Sequence, residues 1–257
     1  MSAWLPCPHA AEHRFDAQQV RAGWARLHAL DAEPLPEDEP VLQAWALLHG
    51  GLFEAADAAG IAAGPAGWAV AHCASALHAT LLEPHEKARL ELYQRILERA
   101  RAHVALRPRD ASAWYWLGYA LARHAQGIHM ARALAQGLGA EIRAALETAL
   151  ELAPSHALAH AALGSFHAEV IDKVGPLVAS MTYGASAETA LAHLREATRL
   201  APDSAAVLQE HAAALLLLEG KAAVPEATRL QQQAAHVRPR DAAERLWVEL
   251  ARASLSL

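Results

Sequence analysis

The stretch Leu106-Arg107-Pro108-Arg109-Asp110-Ala111 decides the fold, because close versions of it occur three more times downstream. In each version a helix-forming segment meets a proline that cannot continue a helix, and a polar residue that can cap a new helix follows. The sequence therefore predicts a series of helices that are broken at regular points. The other versions are Leu152-Ala153-Pro154-Ser155-His156-Ala157, Leu200-Ala201-Pro202-Asp203-Ser204-Ala205 and Val237-Arg238-Pro239-Arg240-Asp241-Ala242.

The composition also favours an all-α protein. Hydrophobic residues make up 54% of the 257 positions, with alanine the commonest of them, and aromatic residues only 5%. Alanine is the best helix former, whereas strands favour β-branched and aromatic side chains. With 22 basic and 28 acidic residues, the net charge of −6 provides no basic surface for nucleic acid or anionic lipid.

The sequence shows no targeting or membrane segment. The first eight residues lack the basic start and apolar core of a signal peptide. The longest apolar run, residues 212–218, is far shorter than the roughly 20 residues of a membrane span. Two distant cysteines, Cys7 and Cys73, cannot form a disulfide framework. We therefore expect a cytoplasmic protein without a cofactor and without nucleic-acid or membrane partners.

Two further motifs follow the first and second helix breaks. They read Trp114-x-x-Leu117-Gly118-x-x-Leu121 and His160-x-x-Leu163-Gly164-x-x-His167, and an alanine stands five residues before three of the prolines, at Ala149, Ala197 and Ala234. At these residues the chain resembles the tetratricopeptide repeat (TPR) family, whose pattern is W-x-x-L-G-x-x-Y on helix A and a small residue, then proline, at the end of helix B. The resemblance covers about residues 67–257. It implies a TPR-like right-handed solenoid of antiparallel helical hairpins with an interaction role.

The two middle repeats are enlarged. The proline spacings are 46, 48 and 37 residues, against about 34 in a standard repeat. The extra residues follow helix A, at about 123–140 and 172–186, and long excursions of this kind tend to be functional. In this enlargement the chain resembles bacterial TPR-like proteins and, more loosely, the regulator of microtubule dynamics proteins. That resemblance implies a fold and an interaction role, and it brings no catalytic residue.

The chain lacks a low-complexity linker, which predicts one helical domain over residues 16–257 after a loose tail over residues 1–15. Residues 16–66 are expected to form N-terminal helices. The TPR-like repeats are expected at residues 67–108, 109–154, 155–202 and 203–239, and a capping helix at residues 240–257.

The TPR resemblance also implies which residues line the concave groove, since positions two, five, nine, twelve and thirteen of helix A face the ligand in that family. With the glycines at position eight, Arg123 and Glu169 occupy the same position in adjacent repeats and could pair across the groove. Glu169 and Lys173 have the favourable i, i+4 spacing. The alternative is a salt-bridge network that only fastens the inserts. The candidate binding residues are Tyr115, Tyr119, Arg123, Gln126, Glu169, Asp172, Lys173 and Tyr183.

The 16 histidines raise the question of a metal site. His156, His160 and His167 fall on one helical face, and an i, i+4 histidine pair can bind zinc when a third ligand is present. The repeat register instead favours packing for His160 and His167, which stand where the preceding repeat has Trp114 and Leu121. His124 and His129, in the first insert, are better candidates for exposed chemistry.

No catalytic motif is present: the sequence has no phosphate loop, H-E-x-x-H, paired CxxC or nucleophile elbow. We therefore favour a non-catalytic module that binds a peptide or partner protein in the concave groove. The alternative is a small-molecule or metal-binding protein, or an enzyme, with a pocket built by the two inserts. Alanine-rich faces could also stack on copies of themselves, which would give a homo-oligomer.

Overall fold

In the computed structural model, which describes residues 4–127 and 137–256, the proline segments separate successive helices. All regular structure among these residues is helical, so the predicted all-α fold is confirmed. The N-terminal part holds α1 (Ala17–Leu27), α2 (Glu39–His49) and α3 (Phe53–Ala62). The helices that follow are α4 (Trp68–Leu81), α5 (Glu86–Leu106), α6 (Ala111–Gln126), α7 (Leu138–Leu152), α8 (Ala157–Val174), α9 (Pro176–Tyr183), α10 (Ala187–Leu200), α11 (Ala205–Glu219), α12 (Val224–His236) and α13 (Ala242–Ser254).

The residue before the final alanine of each proline segment caps the next helix. The side chains of Asp110, Ser204 and Asp241 accept hydrogen bonds from backbone N–H groups in the first turns of α6, α11 and α13. His156 fills the same position at α8, where its Nδ1 accepts from the N–H of Ala159 at 3.1 Å. In all four segments the residue two positions after the proline caps the next helix. The cap is a histidine in only one of the four, which is unusual.

The two motif glycines let paired helices touch. A Cβ added at Gly118 would lie 2.7 Å from Cγ of Leu146 on α7. A Cβ at Gly164 would lie 2.6 Å from Cγ of Leu194 and 3.0 Å from the carbonyl oxygen of Ala190, both on α10. Helix A therefore packs against helix B at a distance that only glycine permits, which accounts for the glycine of the TPR pattern.

The second insert forms a helix of its own. Helix α8 continues to Val174, Gly175 turns the chain with a φ of 78°, and α9 follows and packs against α8. In the first insert, residues 128–136 lie outside the described residues, and His129 is among them.

The described part of the predicted N-terminal tail is packed, which corrects the expectation of a loose segment. The ring of Trp4 stacks on His78 of α4 at a centroid distance of 4.4 Å. Cys7 is buried, and Nε2 of His9 lies 2.7 Å from a carboxylate oxygen of Glu249 on α13. Residues 4–15 thus tie the start of the chain to its last helix.

The C-terminal helix α13 closes the stack of hairpins against the N-terminal helices. It packs against α11 and α12 on one side and against α2 and α4 on the other. Ala242 and Leu246 belong to the same hydrophobic cluster as Trp24 and Trp45. The N–H of Leu158 on α8 also donates to the carbonyl of Leu30, 3.1 Å away, so the segment after α1 reaches the inner helices. The segment after α1 and the helix α13 therefore lie beside the inner helices α6 and α8, where together they line a cavity.

None of the helices among the described residues combines the length and the apolar character that crossing a bilayer requires.

The close contact of Gly164 with α10 can be tested by a substitution that adds one methyl group. We expect Gly164→Ala to lower the free energy of unfolding by about 1–3 kcal/mol, because the new Cβ meets the backbone of α10. Gly23→Ala is the matched control, since its Cβ would meet only Leu27 at 3.7 Å. That change should raise stability by about 0.5–1 kcal/mol. Urea unfolding measures both, and equal effects of the two changes would contradict the close-approach argument.

Candidate functional site

The sequence-predicted tyrosines lie inside the molecule, between the inner helices. Tyr115 is only 5% exposed, and burial raises its pKa well above the ordinary value. The hydroxyl of Tyr119 lies 2.8 Å from Oγ1 of Thr80 on α4, which also contacts the hydroxyl of Tyr93 at 3.0 Å. Tyr119 is thus fixed by neighbours on α4 and α5, and Tyr115 by its burial. Trp114, one residue earlier, is half-buried and packs against the same hydrophobic cluster as Tyr115.

Arg123 pairs with a residue that the repeat register did not indicate. Its guanidinium donates to Glu210 on α11 at 3.0 Å and lies 5.2 Å from the ring centre of Tyr119. The other carboxylate oxygen of Glu210 accepts from the hydroxyl of Ser165 at 2.9 Å. Glu210 therefore links α6, α8 and α11, and the expected direct pair between Arg123 and Glu169 does not form.

Glu169 is held by an amide. The side-chain nitrogen of Gln126 donates to both carboxylate oxygens of Glu169 at 2.8 Å. Burial raises the pKa of Glu169, although Gln126 and Arg123 oppose this effect. Lys173 contacts Asp172 at 3.4 Å rather than Glu169, so the expected i, i+4 pair is replaced by an exposed neighbour pair.

Three adjoining cavities follow the facing sides of α6 and α8. The central cavity, about 80 Å³, holds Tyr115, Tyr119, Arg123 and Glu210 in its wall. The inner cavity, about 130 Å³, continues from it toward α1, α2 and α13. The insert cavity, about 260 Å³, lies on the other side and shares Ala122, Gln126, Phe166 and Glu169 with the central cavity. The enlarged repeats thus surround the largest of these three spaces.

The insert cavity gathers several of the predicted site residues. Gln126, Glu169, Lys173 and Tyr183 contribute to its wall. Tyr183 reaches back from α9 to α7, where its ring occupies the space that a Cβ at Gly139 would need. The rest of the wall is mainly apolar: Ala122, Ala125, Leu138, Ile142, Phe166, Val170 and Val174. This arrangement suits a ligand group that is largely apolar and carries one or two polar atoms.

The register interpretation of His160 is supported by its hydrogen bond. Nε2 of His160 contacts the carbonyl oxygen of Pro154 at 3.1 Å, as Nε1 of Trp114 does at Pro108 one repeat earlier, at 2.9 Å. A carbonyl only accepts, so this nitrogen carries a proton and is not free to bind a metal. Nδ1 of His160 faces Nδ1 of His193 at 2.9 Å.

The other metal candidates do not converge either. Burial lowers the pKa of both His156 and His167 to about 4, so both are neutral at pH 7. His156 uses Nδ1 as a helix cap, and His124 lies half-buried in the last turn of α6. Over residues 4–127 and 137–256, no three histidine, cysteine or acidic side chains stand together in a way that could hold a metal ion.

The arrangement of helices defines a class of protein. The chain is similar to the crystal structure of TTC0263, a thermophilic TPR protein in Thermus thermophilus. The TM-score is 0.58 at 19% sequence identity, and the match covers 83% of this chain and 97% of that chain. At this identity the similarity concerns the fold alone, and it confirms a TPR-like helical repeat protein.

The family follows from the sequence. The family model for Regulator of microtubule dynamics protein 1-3 matches residues 64–256, which is well over half of the chain. The chain therefore belongs to this family, and the looser of the two resemblances seen in the enlarged repeats is confirmed. No curated protein matches the chain in a sequence comparison.

The histidine cap of α8 makes stability depend on pH. His156 has a pKa of about 4 in the folded protein and about 6.5 when unfolded. The stabilisation of the folded state by neutral His156 is therefore fully present above pH 6.5. As the pH falls toward 4, the free energy of unfolding decreases on this account by about 3 kcal/mol at most. We expect His156→Asn, whose amide oxygen replaces Nδ1 as the capping acceptor but cannot titrate, to flatten the fall of unfolding free energy between pH 7 and 4.5. Ser204→Asn, the same cap one repeat later, is the control and should leave the pH slope unchanged; equal slopes in all three proteins would refute the effect.

Proposed function

We propose that this protein is a non-catalytic interaction module that binds a segment of a partner protein at the inserts of its two middle repeats. The exposed apolar face of α9 carries this proposal. Leu177 is 72% exposed and Met181 80% exposed, one helical turn apart, and Val178 beside them is 47% exposed. A short helix that presents three large apolar side chains to water is typical of a surface that another molecule covers.

The position of α9 adds to the argument. One side of this helix closes the insert cavity through Tyr183, and another side carries Leu177 and Met181. A partner that packs on α9 thus lies next to a cavity of about 260 Å³ that can accept an apolar side chain. Gln126, Glu169 and Lys173 line the same cavity and offer amide, carboxylate and ammonium groups for its polar atoms.

We choose the inserts as the proposed binding surface because the inner faces of the repeats contact other parts of the same chain. Residues of α1, α2 and α13 stand opposite Tyr115, Tyr119 and Leu158 across the inner cavity, on the side where an extended peptide would lie in an open TPR groove. In this proposal Tyr115, Tyr119 and Arg123 hold α6 and α8 in place. The binding contacts come from Gln126, Glu169, Asp172, Lys173 and Tyr183 together with the apolar face of α9.

A cytoplasmic location is part of the proposal. Cys7 and Cys73 are both free thiols, which is the usual state of cysteine in a reducing compartment.

The proposed surface can be tested with selected peptides. Peptides displayed in a library are selected on the wild-type protein, and their dissociation constants are measured by fluorescence anisotropy. We expect Leu177→Asp combined with Met181→Asp to weaken binding at least tenfold, because two charges replace the apolar contact.

Leu106→Asp is the matched control, since Leu106 is 61% exposed in the last turn of α5. It should change binding by less than twofold. Peptides that bind the double variant and the wild type equally well would place the binding surface elsewhere.

A second candidate function is the binding of a small apolar molecule in the insert cavity, favoured by the size and lining of that cavity. Val170→Phe would narrow the cavity. For a small-molecule ligand found by thermal-shift screening, we expect this change to abolish the stabilisation while Leu177→Asp with Met181→Asp leaves it intact. The reverse pattern would place the small molecule on the face of α9 and would contradict binding in the insert cavity.

A further inference from the structure

The carboxylate of Glu169 stands in the wall of the insert cavity without a cation against it. It is half-buried and lies between the central cavity and the insert cavity, so it lines both. The two nearest basic residues are engaged elsewhere, since Arg123 pairs with Glu210 at 3.0 Å and Lys173 with Asp172 at 3.4 Å. Among the residues that the structure describes, the partner of Glu169 is therefore a neutral amide.

This amide occupies only part of the carboxylate. The side-chain nitrogen of Gln126 lies 2.8 Å from both carboxylate oxygens of Glu169, and the amide oxygen accepts from Arg123 at 3.4 Å. The bond from Arg123 sets which end of the amide faces Glu169, because a guanidinium can only donate. An ionised carboxylate offers about four acceptor positions, and these contacts use two of them. Acceptor positions therefore remain for a donor that enters from the insert cavity.

The surrounding charges leave this part of the wall negative. On the central side Glu210 adds a second carboxylate, and Arg123 balances only one of the two. Lys173 is exposed, and Asp172 balances its charge. Burial is the main cause that raises the pKa of Glu169, and the charge of Glu210 adds to it. A positive group in the insert cavity would supply the charge that is missing there.

The rest of the insert cavity suits an aliphatic stem. Its volume is about 260 Å³, many times the ~10–15 Å³ that one water molecule needs. The aliphatic part of the wall includes Leu138, Ile142, Val170 and Val174. Phe166 and Tyr183 add aromatic rings, whose faces attract ammonium groups. A group with several methylenes and a positive end therefore matches this cavity better than a wholly apolar group.

The contact with Gln126 also favours one kind of cation. The guanidinium of arginine binds a carboxylate best through both oxygens at once. At Glu169 the nitrogen of Gln126 already faces both oxygens. The ammonium group of lysine is a compact point charge that needs only one oxygen. The acceptor positions that remain on Glu169 therefore favour lysine over arginine.

We propose that the insert cavity takes a lysine side chain of the bound partner segment, with its methylene groups against the apolar wall and its ammonium group on the carboxylate of Glu169. The inference deepens the proposed function and rests on it, since it names the residue of the partner that enters the cavity beside α9. Glu169 then determines specificity, because a neutral side chain leaves its charge unpaired and an acidic one is repelled. Leu177 and Met181 supply apolar contact to the same segment, and Glu169 supplies the preference for charge.

The first test uses the lysine side chain alone. n-Butylammonium chloride and butan-1-ol are titrated at matched ionic strength into the full-length protein, and the methyl signals of Leu138, Val170 and Val174 are followed by NMR. We expect the ammonium compound to bind at least about fivefold more tightly than the alcohol, because it gains a partly buried ion pair. Equal binding of the two compounds would overturn the proposal.

Two variants locate the charge and the stem. Glu169→Gln keeps an acceptor oxygen for Gln126 but removes the charge, so the ammonium compound should bind no more tightly than the alcohol. Val170→Phe narrows the cavity and should abolish binding of both compounds although Glu169 is intact. Glu151→Gln, exposed near the end of α7, is the matched control and should keep the wild-type preference. A preference that survives in Glu169→Gln, or binding that survives in Val170→Phe, would contradict the proposal, and either variant alone is sufficient if the other does not fold.

The second test connects the cavity to the partner surface. In the peptides selected on the wild-type protein, each lysine is replaced in turn by norleucine, which keeps the methylene groups and loses the charge. We expect one replacement to weaken binding to the wild type at least about fivefold and to leave binding to Glu169→Gln unchanged. Peptides that require Leu177 and Met181 but tolerate norleucine at every lysine would refute the lysine assignment and leave the proposed function standing. Failure of the proposed function is a different result: the peptides would bind Leu177→Asp with Met181→Asp as tightly as the wild type.

Discussion

The contact that the rest of the structure depends on is the close approach of two helices within each middle repeat. Gly118 admits Leu146 and Gly164 admits Leu194, and the leucines of helix B come closer than any Cβ at these positions would allow. Alanine around these contacts keeps the two axes close, which explains why the sequence is so rich in alanine. Since helix A then has a fixed orientation, α6 and α8 must face each other, and the cavities between them follow from that geometry.

The packing of α13 across the helical hairpins restricts where this protein can bind another molecule. An open solenoid presents its helix A surfaces to a peptide, but here α13 packs against both α11 and α4 and so bridges the two ends of the stack. Tyr115 is consequently buried, and its neighbours bind one another: Arg123 binds Glu210, and Glu210 binds Ser165. These polar groups are satisfied by the chain, whereas the exposed apolar side chains of α9 are not covered by it. Binding to another molecule is therefore better suited to the inserts than to the enclosed side.

Local rules account for the part of the fold that the sequence predicts well. A proline, a capping side chain and a glycine at fixed spacing act over a few residues, so helix starts such as Asp110 and Ser204 can be located without knowing the rest of the molecule. The partner of Arg123 could not be predicted in this way. Glu210 lies in a repeat without the W-x-x-L-G motif, which leaves its register unassigned, and the pair depends on how three helices are rotated relative to one another. The packed N-terminal segment was missed for the same reason, because the contact of His9 with Glu249 spans 240 positions.

The many histidines are best understood as the polar partners of an alanine-rich interior. Alanine leaves no side chain that can satisfy a buried carbonyl, carboxylate or N–H group, so another residue has to supply the partner. Imidazole is compact, can donate from one nitrogen and accept at the other, and carries a charge only when protonated. His160 uses this at a proline carbonyl, His156 at a helix start, and His49 at Asp241. At the helix start this choice has a consequence for stability: because burial lowers the pKa of His156 to about 4, the histidine cap of α8 makes the stability of the fold depend on pH.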